Sequence, residues 1–502
     1  MFTFVVCSVF KNESHILEEW INHFLLHGVE YFYLVNDFST DNFLPIIEKY
    51  KEYITLYHND IITENVGRQC LIYEKYFMPI KNNSKWISIL DMDEFLYSPN
   101  EINLKNILIK YDNYSQLIIY WLHFAGNDNI LQPLSVVESF TKRAIYNPMN
   151  TYITSHKTII NITSHKTITK SSNLITFNIH NNVFNGLSYD FIINENSIPE
   201  LVINHYNLQS KDFYINIKGT RGDINNWFNH MNLKRNEDMY NLLDLNEKED
   251  LKLYKQNKEI IYNIKQNKID SSDDVTVLLT SCNRTKLLDL TLESFIKYNT
   301  YPIKEFIILD DSGIINCNED VVTKYKSYIK IRSLYNKQNI GKTKSIDKLY
   351  SYVKTKYIFH CEEDWEFLER GFIEKSMKIF KENPNEKIYT IWLRPHHETS
   401  NHPIIYDNLN RGYYLMKKDF SYFYNGNKYT WGGITFNPGL RKTLDCLKFH
   451  PYLYNCEYTI DNNNMFIGEY SINKKYMEDG YYSYILDLPT GHVNHICNGH
   501  HI

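Results

Sequence analysis

The sequence predicts an α/β protein made of two tandem domains, each built around a mostly parallel, Rossmann-like sheet. Apolar strands alternate with helical segments in both halves, acidic clusters follow two of the strands, and strand-end features recur at a nearly constant spacing. Strands that alternate with helices are typical of a parallel sheet. Features that recur in the same order indicate two copies of one fold.

The repeat is clearest at the strand ends. The acidic clusters are Asp91-Met92-Asp93-Glu94 and Glu362-Glu363-Asp364, each directly after an apolar strand, and they begin 271 positions apart (362 − 91). Asn12 and Asn283 follow the first strand of each half at the same offset (283 − 12 = 271).

Further matches extend the repeat along each half. Asp37 and Asp310 end the second strands at an offset of 273 (310 − 37). A histidine comes late in both halves: His205 in the first, and His492 or His495 in the second. Three strand-end features in one order are better explained by duplication than by chance.

Each half opens with a strand, a helix and a second strand. In the first half, Ser14 is an expected helix N-cap, Gly28 an expected stop, and the next strand runs to Val35. In the second half, apolar residues at helical spacing mark the helix before the strand that ends at Leu309; they are Leu288, Leu292, Phe295 and Ile296.

Carboxylates at the ends of apolar strands need a reason to be there, because like charges this close repel and raise one another's pKa. A divalent cation removes that repulsion, and oxygen ligands suit Mg²⁺ or Mn²⁺. In a parallel sheet these side chains share the carboxyl edge, where ligands gather. The alternative for Asp91 and Asp93 is a surface helix cap.

A short repeat in the first half has two interpretations. The heptapeptide Ile-Thr-Ser-His-Lys-Thr-Ile occurs at residues 153–159 and 162–168. A local duplication that forms a hairpin is the simpler interpretation. In the other, Lys157 or Lys166 reaches a diphosphate.

The remaining composition limits the class of protein. The net charge of −5 gives no reason to expect a nucleic-acid partner. No G-x-G-x-x-G follows a first strand, and residues 336–343 lack the first glycine of a P-loop. No run reaches the ~18 apolar residues of a membrane span, and without a signal segment we expect a cytoplasmic protein with free thiols.

The boundary between the halves is expected near residue 269. Residues 233–274 are charged and mostly helix-forming, and they end in the polar linker Asp270-Ser271-Ser272-Asp273-Asp274. The expected domains are therefore residues 1–268 and 269–502.

These residues resemble known families. The first half is similar to glycosyltransferase family 92 and family 2-like enzymes of the GT-A fold; the matching segments are residues 7–13, 19–20, 27–29, 36–41, 90–95, 121–126, 205–210 and 218–222. The second half resembles glycosyltransferase family 2; the matching segments are residues 280–284, 309–312, 339–341, 362–365, 436–441, Glu469 and 492–495. It has Glu363 where the first metal-site Asp is usual.

The resemblance implies a role for each candidate residue. The residues implied to contact the nucleotide are Asn12, Asp37, Asn283, Asp310 and Asp311. The residues implied to bind Mn²⁺ or Mg²⁺ and the sugar diphosphate are Asp91, Asp93, His205, Glu363, Asp364, His492 and His495. The implied catalytic bases are Glu469 in the second half and Glu94 or Asp128 in the first.

The sequence is thus interpreted as a bifunctional, metal-dependent and inverting glycosyltransferase. It would use nucleotide-diphosphate sugars, UDP-sugars above all, and a glycan or glycoconjugate acceptor. One alternative is a single active domain joined to a degenerate, glycan-binding domain. Another is a sugar-phosphate nucleotidyltransferase, although neither first strand is followed by the Gly-rich basic loop usual in that class.

Overall fold

The computed structural model describes residues 1–63, 67–146, 151–153, 159–161, 165–197, 199–222, 235–424, 427–456 and 465–497. The chain divides into two compact units, Met1–Ile264 and Lys265–Ile502. The division falls near the end of a helix, Lys252–Asn267. The sequence placed the boundary between residues 268 and 269, just beyond that helix.

The first unit begins with the expected strand, helix and strand. Its strands are β1 Phe2–Phe10, β2 Tyr31–Asn36, β3 Ile54–His58, β4 Ser84–Ile89, β5 Glu94–Tyr97, β6 Gln116–His123, β7 Lys142–Arg143, β8 Thr151–Ile153, β9 Ile159–Asn161, β10 His165–Lys170, β11 Leu174–Thr176, β12 Val183–Phe184, β13 Ser188–Phe191, β14 Val202–His205 and β15 Lys248–Glu249. Its helices are α1 Ser14–Leu26, α2 Leu44–Lys49, α3 Arg68–Tyr76, α4 Leu104–Lys110, α5 Val136–Ser139, α6 Glu237–Leu243 and α7 Lys252–Asn267, with a π-helical turn at Phe213–Lys218.

A nine-stranded sheet forms the centre of the first unit, in the order β3-β2-β1-β4-β10-β6-β14-β5 with β13 beside β6. Strands β1 to β4 are parallel, and β10 enters antiparallel between β4 and β6. The consecutive residues in the middle of β1 are all buried, as expected for a parallel strand covered on both faces.

The second unit repeats this opening. Its strands are β16 Val275–Ser281, β17 Ile303–Asp310, β18 Ile331–Tyr335, β19 Tyr357–Glu362, β20 Trp365–Phe367, β21 Ile388–Trp392, β22 Ile404–Ile405, β23 Tyr413–Met416, β24 Phe420–Tyr424, β25 Asn427–Trp431, β26 Gly439–Lys442, β27 Tyr482–Leu486 and β28 Val493–His495. Its helices are α8 Thr285–Tyr298, α9 Glu319–Tyr325, α10 Lys342–Tyr350, α11 Phe372–Glu382, α12 Thr443–Leu447, α13 Tyr452–Asn455 and α14 Met465–Glu478.

The main sheet of the second unit has the order β18-β17-β16-β19-β26, with the first four strands parallel and β26 antiparallel. This reproduces the order β3-β2-β1-β4-β10 of the first unit. In both units a short strand after the acidic cluster pairs antiparallel with a late strand, β5 with β14 and β20 with β28. The predicted fold class, two α/β domains with mostly parallel sheets, is confirmed.

Apolar packing holds the strand ends in place. Val5, Cys7 and Ile87 pack with Ile72 and Tyr73 of α3 in the first unit. A larger cluster in the second unit joins β16, β17 and β19 to α8 and α11. Burial of this kind stabilises by roughly 25 cal/mol per Å² of apolar surface.

The duplicated heptapeptide adopts two different environments. Strands β8 and β9 pair antiparallel and contain the first and last residues of the first copy, and residues 165–168 of the second copy lie in β10 of the central sheet. Lys157 lies outside the described residues, whereas Lys166 is buried in β10.

Among the described residues, no helix combines the length and the apolar character needed to cross a membrane.

Candidate functional site

Asn12 and Asn283 make the same turn at the carboxyl edge of the two sheets. Their φ angles are 52° and 53°, a left-handed conformation that asparagine adopts more readily than most residues. Asn12 Oδ1 accepts a hydrogen bond from the Thr40 backbone N at 2.7 Å, and the Asn283 backbone N donates to Asp310 Oδ2 at 2.9 Å. The two asparagines shape this edge, and their contact with a nucleotide stays a prediction.

The first helix of each unit supports the acidic turn. Trp20 Nε1 donates to the backbone oxygens of Asp91 and Glu94, both at 3.1 Å. In the second unit, Thr291 Oγ1 donates to the Glu363 backbone oxygen at 2.6 Å. Trp20 and Thr291 lie 271 positions apart (291 − 20). Two different side chains at equivalent positions of the repeat therefore donate hydrogen bonds to the acidic turn.

Asp37 lies at the predicted edge, but its carboxylate is already engaged. Arg68 Nη1 donates to Asp37 Oδ2 at 3.0 Å, and Arg68 Nη2 and Asn59 Nδ2 donate to Oδ1 at 2.5 and 2.7 Å. The side chain of Asp37 is only 3% exposed. In this arrangement Asp37 holds Arg68 in place, and its direct contact with a nucleotide stays a prediction.

Asp310 and Asp311 organise the loops of the second unit. Asp310 Oδ2 accepts hydrogen bonds from the Asn283 backbone N and from Asn318 Nδ2, at 2.9 and 3.1 Å. Asp311 accepts from the backbone N of Ile340 and of Gly341, at 2.9 and 2.8 Å. Asp311 thereby fixes the loop that leads into α10.

Two buried lysines neutralise the acidic cluster of the first unit. Lys166 Nζ lies 3.1 Å from Asp91 Oδ2 and 3.5 Å from Glu94 Oε2. Lys218 Nζ donates to Asp93 Oδ2 and, at 2.8 Å, to the Asn207 backbone oxygen. Lys166 and Lys218 are each about 2% exposed, so both ammonium groups depend on these oxygens.

His205 completes this arrangement. Its Nε2 lies 3.5 Å from Asp93 Oδ1, on the side of the carboxylate away from Lys218. Burial alone would raise the pKa of Asp93, but Lys218 and His205 outweigh burial and hold that pKa well below its usual range. Asp93 is therefore ionised at neutral pH.

The two base candidates of the first unit differ in position. Glu94 is fully buried, and its Oε2 accepts a hydrogen bond from the Asp91 backbone N at 2.8 Å. Burial raises the pKa of Glu94 despite the opposing Lys166, which fits a structural group better than one in contact with substrate. Asp128 is half-buried and has a φ of 56° in a turn after β6. Its role stays a prediction.

In the second unit an arginine lies on the acidic cluster. Arg284 Nε lies 2.7 Å from Glu363 Oε1, and Arg284 Nη1 lies 3.1 Å from Asp364 Oδ2. Burial raises the pKa of Glu363 and Arg284 only partly opposes it. Burial also acts on Asp364, but His495, Arg284 and Lys342 outweigh it and lower the pKa of Asp364.

The late histidines of the second unit do not lie together. His495 Nε2 lies 3.3 Å from Asp364 Oδ2, and His495 pairs with Trp365 as His205 pairs with Glu94. His492 instead has its Nε2 3.1 Å from Lys375 Nζ, and burial with Lys375 lowers the pKa of His492 to about 4. Of the two, His495 is the counterpart of His205.

Glu469 lies near the start of α14, where Thr435 Oγ1 and the Phe436 backbone N both donate to its Oε1 at 2.8 Å. Lys342 interacts electrostatically both with Glu469 and with the acidic cluster. Burial alone would lower the pKa of Lys342, but Glu362, Glu469 and Asp364 raise it. Lys342 Nζ is 2.5 Å from Glu362 Oε1.

The basic partners were not assigned roles from the sequence. Arg68, Lys218, Arg284 and Lys342 each contact or lie close to a predicted acidic residue. Arg284 was detectable, since it directly follows the strand-end Asn283. Lys218 and Arg68 lie far from their partners along the chain, so no local pattern indicates them.

The donor groups partly fit a divalent cation. Among the described residues, no three His, Cys, Asp or Glu side chains group closely enough to hold one alone. However, Asp364 Oδ1 is buried and has no hydrogen-bond partner, beside the imidazole of His495. Two protein ligands are enough for Mg²⁺ or Mn²⁺ when substrate phosphates and water complete the shell.

Two family profiles match the chain in tandem. The profile of glycosyltransferase family 92 matches residues 1–253, just over half of the chain, and that of glycosyl transferase family 2 matches residues 276–444. No curated protein matches the chain.

Similar solved structures include two of TarS from S. aureus. The first has a TM-score of 0.28 and 11% identity, covering 43% of this chain and 37% of that one; TarS 1-349 has 0.27 and 11%, covering 42% and 60%. A mannosyltransferase, PcManGT from Pyrobaculum calidifontis in complex with GDP-Man and Mn²⁺, has 0.22 and 12%, covering 28% and 44%. The chain thus spans 37% to 60% of the length of these structures.

Proposed function

The chain belongs to glycosyltransferase family 92 and carries a family 2 glycosyltransferase domain behind it, and on that premise we propose that it is bifunctional. Each domain transfers a sugar from a nucleotide-diphosphate donor, preferably a UDP-sugar, to a glycan or glycoconjugate acceptor. The transfer depends on Mn²⁺ or Mg²⁺ and inverts the anomeric centre.

The observation that carries the proposal is the aspartate–histidine pair in each domain. Asp93 and His205 lie 3.5 Å apart, and Asp364 and His495 lie 3.3 Å apart. The aspartate of each pair follows an apolar strand at the carboxyl edge of a parallel sheet, where a nucleotide sugar is expected to bind. A carbohydrate-binding protein without catalytic activity would not require this repeated pair.

In the second domain the acceptor hydroxyl gives its proton to Glu469 as the new glycosidic bond forms. Hydrogen bonds from Thr435 and Phe436 to Glu469 Oε1 orient the carboxylate and leave Oε2 for that proton. The donor's bond between the anomeric carbon and the diphosphate oxygen breaks at the same time.

The leaving diphosphate carries negative charge that has to be stabilised. Arg284 and Lys342 lie beside Glu363, Asp364 and Glu362 and are positioned to bind that charge. A cation held by Asp364 and His495 would supply further electrostatic stabilisation of the diphosphate. In the first domain Asp93 and His205 would hold the equivalent cation, with Lys218 beside them.

The test is a panel of UDP-, GDP- and dTDP-sugars offered to the full chain with Mn²⁺, with Mg²⁺ and with EDTA. Metal-dependent donor hydrolysis and a raised thermal midpoint with one nucleotide class are the expected results. If no nucleotide sugar is hydrolysed and none shifts the midpoint under any condition, the proposed function is wrong.

A second candidate has a specific observation in its favour. Lys218 and Lys166 neutralise the acidic cluster of the first domain from buried positions. A first domain that only binds glycan, joined to one active transferase domain, is consistent with this. Asp93→Asn and Asp364→Asn separate the two cases: under the second candidate only Asp364→Asn lowers donor turnover.

A further inference from the structure

Arg394 has a guanidinium group with no hydrogen-bond or ion-pair partner in the part of the chain that the structure describes. It follows β21, and no hydrogen bond or ion pair to its guanidinium is found among residues 1–63, 67–146, 151–153, 159–161, 165–197, 199–222, 235–424, 427–456 and 465–497. Its Nε atom is buried and lacks an acceptor. A buried N–H group that lacks an acceptor is costly.

The arginine is held in place by packing. Its Cζ lies 5.2 Å from the centroid of the Trp365 ring, a cation–π distance. The backbone next to it is fixed by Gly491, whose φ is 72° and where an added Cβ would lie 2.4 Å from the Pro395 backbone N. A side chain larger than hydrogen at residue 491 would therefore displace the segment that carries Arg394.

The charge of Arg394 is only weakly compensated. Burial lowers the pKa of Arg394, while Glu398 and Glu469 oppose that effect from beyond ion-pair distance. Glu469 Oε1 is already bonded to Thr435 and Phe436. The Arg394 side chain is half-buried, and a partly desolvated cation without a close counter-ion favours an anionic ligand.

Trp365 places this arginine next to the candidate donor site. It directly follows Asp364, and its ring packs against His495 with centroids 4.9 Å apart. Arg394 thus contacts the residue that follows one candidate metal ligand in the chain and packs against the other. The other basic groups at this place, Arg284 and Lys342, are shared with carboxylates, whereas Arg394 has no carboxylate within ion-pair distance among the described residues.

We propose that Arg394 binds the terminal phosphate of the nucleoside diphosphate in the second domain, as a donor-binding residue. This rests on the proposed function. The planar guanidinium matches two phosphate oxygens in a bidentate geometry, which a lysine does not. The terminal phosphate is the one that carries the sugar, so a contact with it distinguishes a nucleoside diphosphate from a monophosphate.

The test compares Arg394→Met and Arg394→Lys in the full chain carrying Asp93→Asn, so that the second domain dominates the signal. Binding of UDP, UMP, GDP and GMP is measured by calorimetry with Mn²⁺. Arg394→Met should weaken the preferred diphosphate ~10- to 100-fold, as for a lost charge-assisted hydrogen bond, and leave the monophosphate unchanged. Arg394→Lys should restore part of the loss.

A surface arginine provides the control. Arg332 pairs with Glu305 at 2.9 Å and is 42% exposed, and Arg332→Met should change neither affinity. The thermal midpoint of Arg394→Met without nucleotide should not fall below that of the parent, because the substitution removes no hydrogen bond or ion pair found among the described residues.

Four outcomes would overturn the proposal. Equal losses of diphosphate and monophosphate affinity would mean a structural role, as would a lowered thermal midpoint without nucleotide. Unchanged diphosphate affinity in Arg394→Met, with a parent that binds it, would reject the role of Arg394 alone. A parent that binds no nucleotide at all would reject the proposed function together with it.

Discussion

The imidazole Nε2 of His495 lies 3.3 Å from Oδ2 of Asp364. Antiparallel pairing of β20 and β28 places His495 opposite Trp365, the residue after that aspartate. The first domain has the same relation, because β5 and β14 place His205 opposite Glu94, the residue after Asp93. Strand register thus produces both pairs.

Removal of divalent cations should abolish transfer by both domains. Asp364→Asn should weaken metal-dependent donor binding by the second domain, because it removes a charged oxygen ligand. The measurement is donor turnover after EDTA treatment, followed by titration with Mn²⁺ or Mg²⁺. Asp407→Asn, at a surface pair with Arg411, is the control. Full activity in EDTA would contradict the metal role.

Lys218→Met should destabilise the first domain strongly. It leaves the carboxylate of Asp93 buried beside His205 without its ammonium partner, and breaking a buried pair in this way costs about 3–5 kcal/mol. Urea unfolding of the full chain is the measurement.

Lys75→Met is the matched control for this change. Lys75 pairs with Asp60 at 2.5 Å, but the two side chains are 45% and 68% exposed, so the loss of stability should be small. Equal effects of the two substitutions would show that the buried Lys218 pair contributes no more to stability than an exposed pair.

Glu469→Gln should slow transfer by the second domain ~10²- to 10⁴-fold, the usual contribution of a positioned general base. Glutamine keeps an oxygen that accepts from Thr435 and Phe436, so folding and donor affinity should persist. Single-turnover transfer to a defined acceptor measures the effect. An unchanged rate would remove Glu469 from the mechanism.

The second domain should lose stability in mild acid, in part through His492. The pKa of His492 is about 4 in the folded chain against a usual value near 6.5, so the unfolded chain takes up the proton first. Neutral His492 therefore contributes at most about 3 kcal/mol to the free energy of unfolding. This contribution is complete above pH ~6.5 and is lost as the pH falls through about 4.

His492→Gln should reduce this acid sensitivity, whereas His397→Gln should not, because the His397 side chain is 75% exposed. Unfolding free energies at several values between pH 7.5 and pH 4 are compared for the two variants and the parent. Parallel curves for all three proteins would mean that His492 is not titrating in this range.

A protein ending at residue 268 should fold alone. It contains the complete nine-stranded sheet and His205, and it ends one residue after α7. Circular dichroism and cooperative unfolding measure this. If residues 1–268 alone are unfolded while the full chain is folded, the expected boundary is wrong.

The amino-acid sequence was sufficient for the fold class and for the duplication. Both follow from local patterns, since apolar periodicity sets the strands and helices and the acidic clusters mark the strand ends. The common edge for Asn12, Asp37 and Asp91 also follows, because parallel strands bring their carboxyl ends together.

Tertiary structure alone decided which charges meet. Lys218 reaches Asp93 from 125 positions away, and Arg68 reaches Asp37 from 31. Strand pairing, not residue type, selects His495 over His492 as the partner of Asp364. Such contacts depend on the register and packing of segments distant in the chain, which no local spacing encodes, and so Arg394 beside Trp365 became visible only in the folded protein.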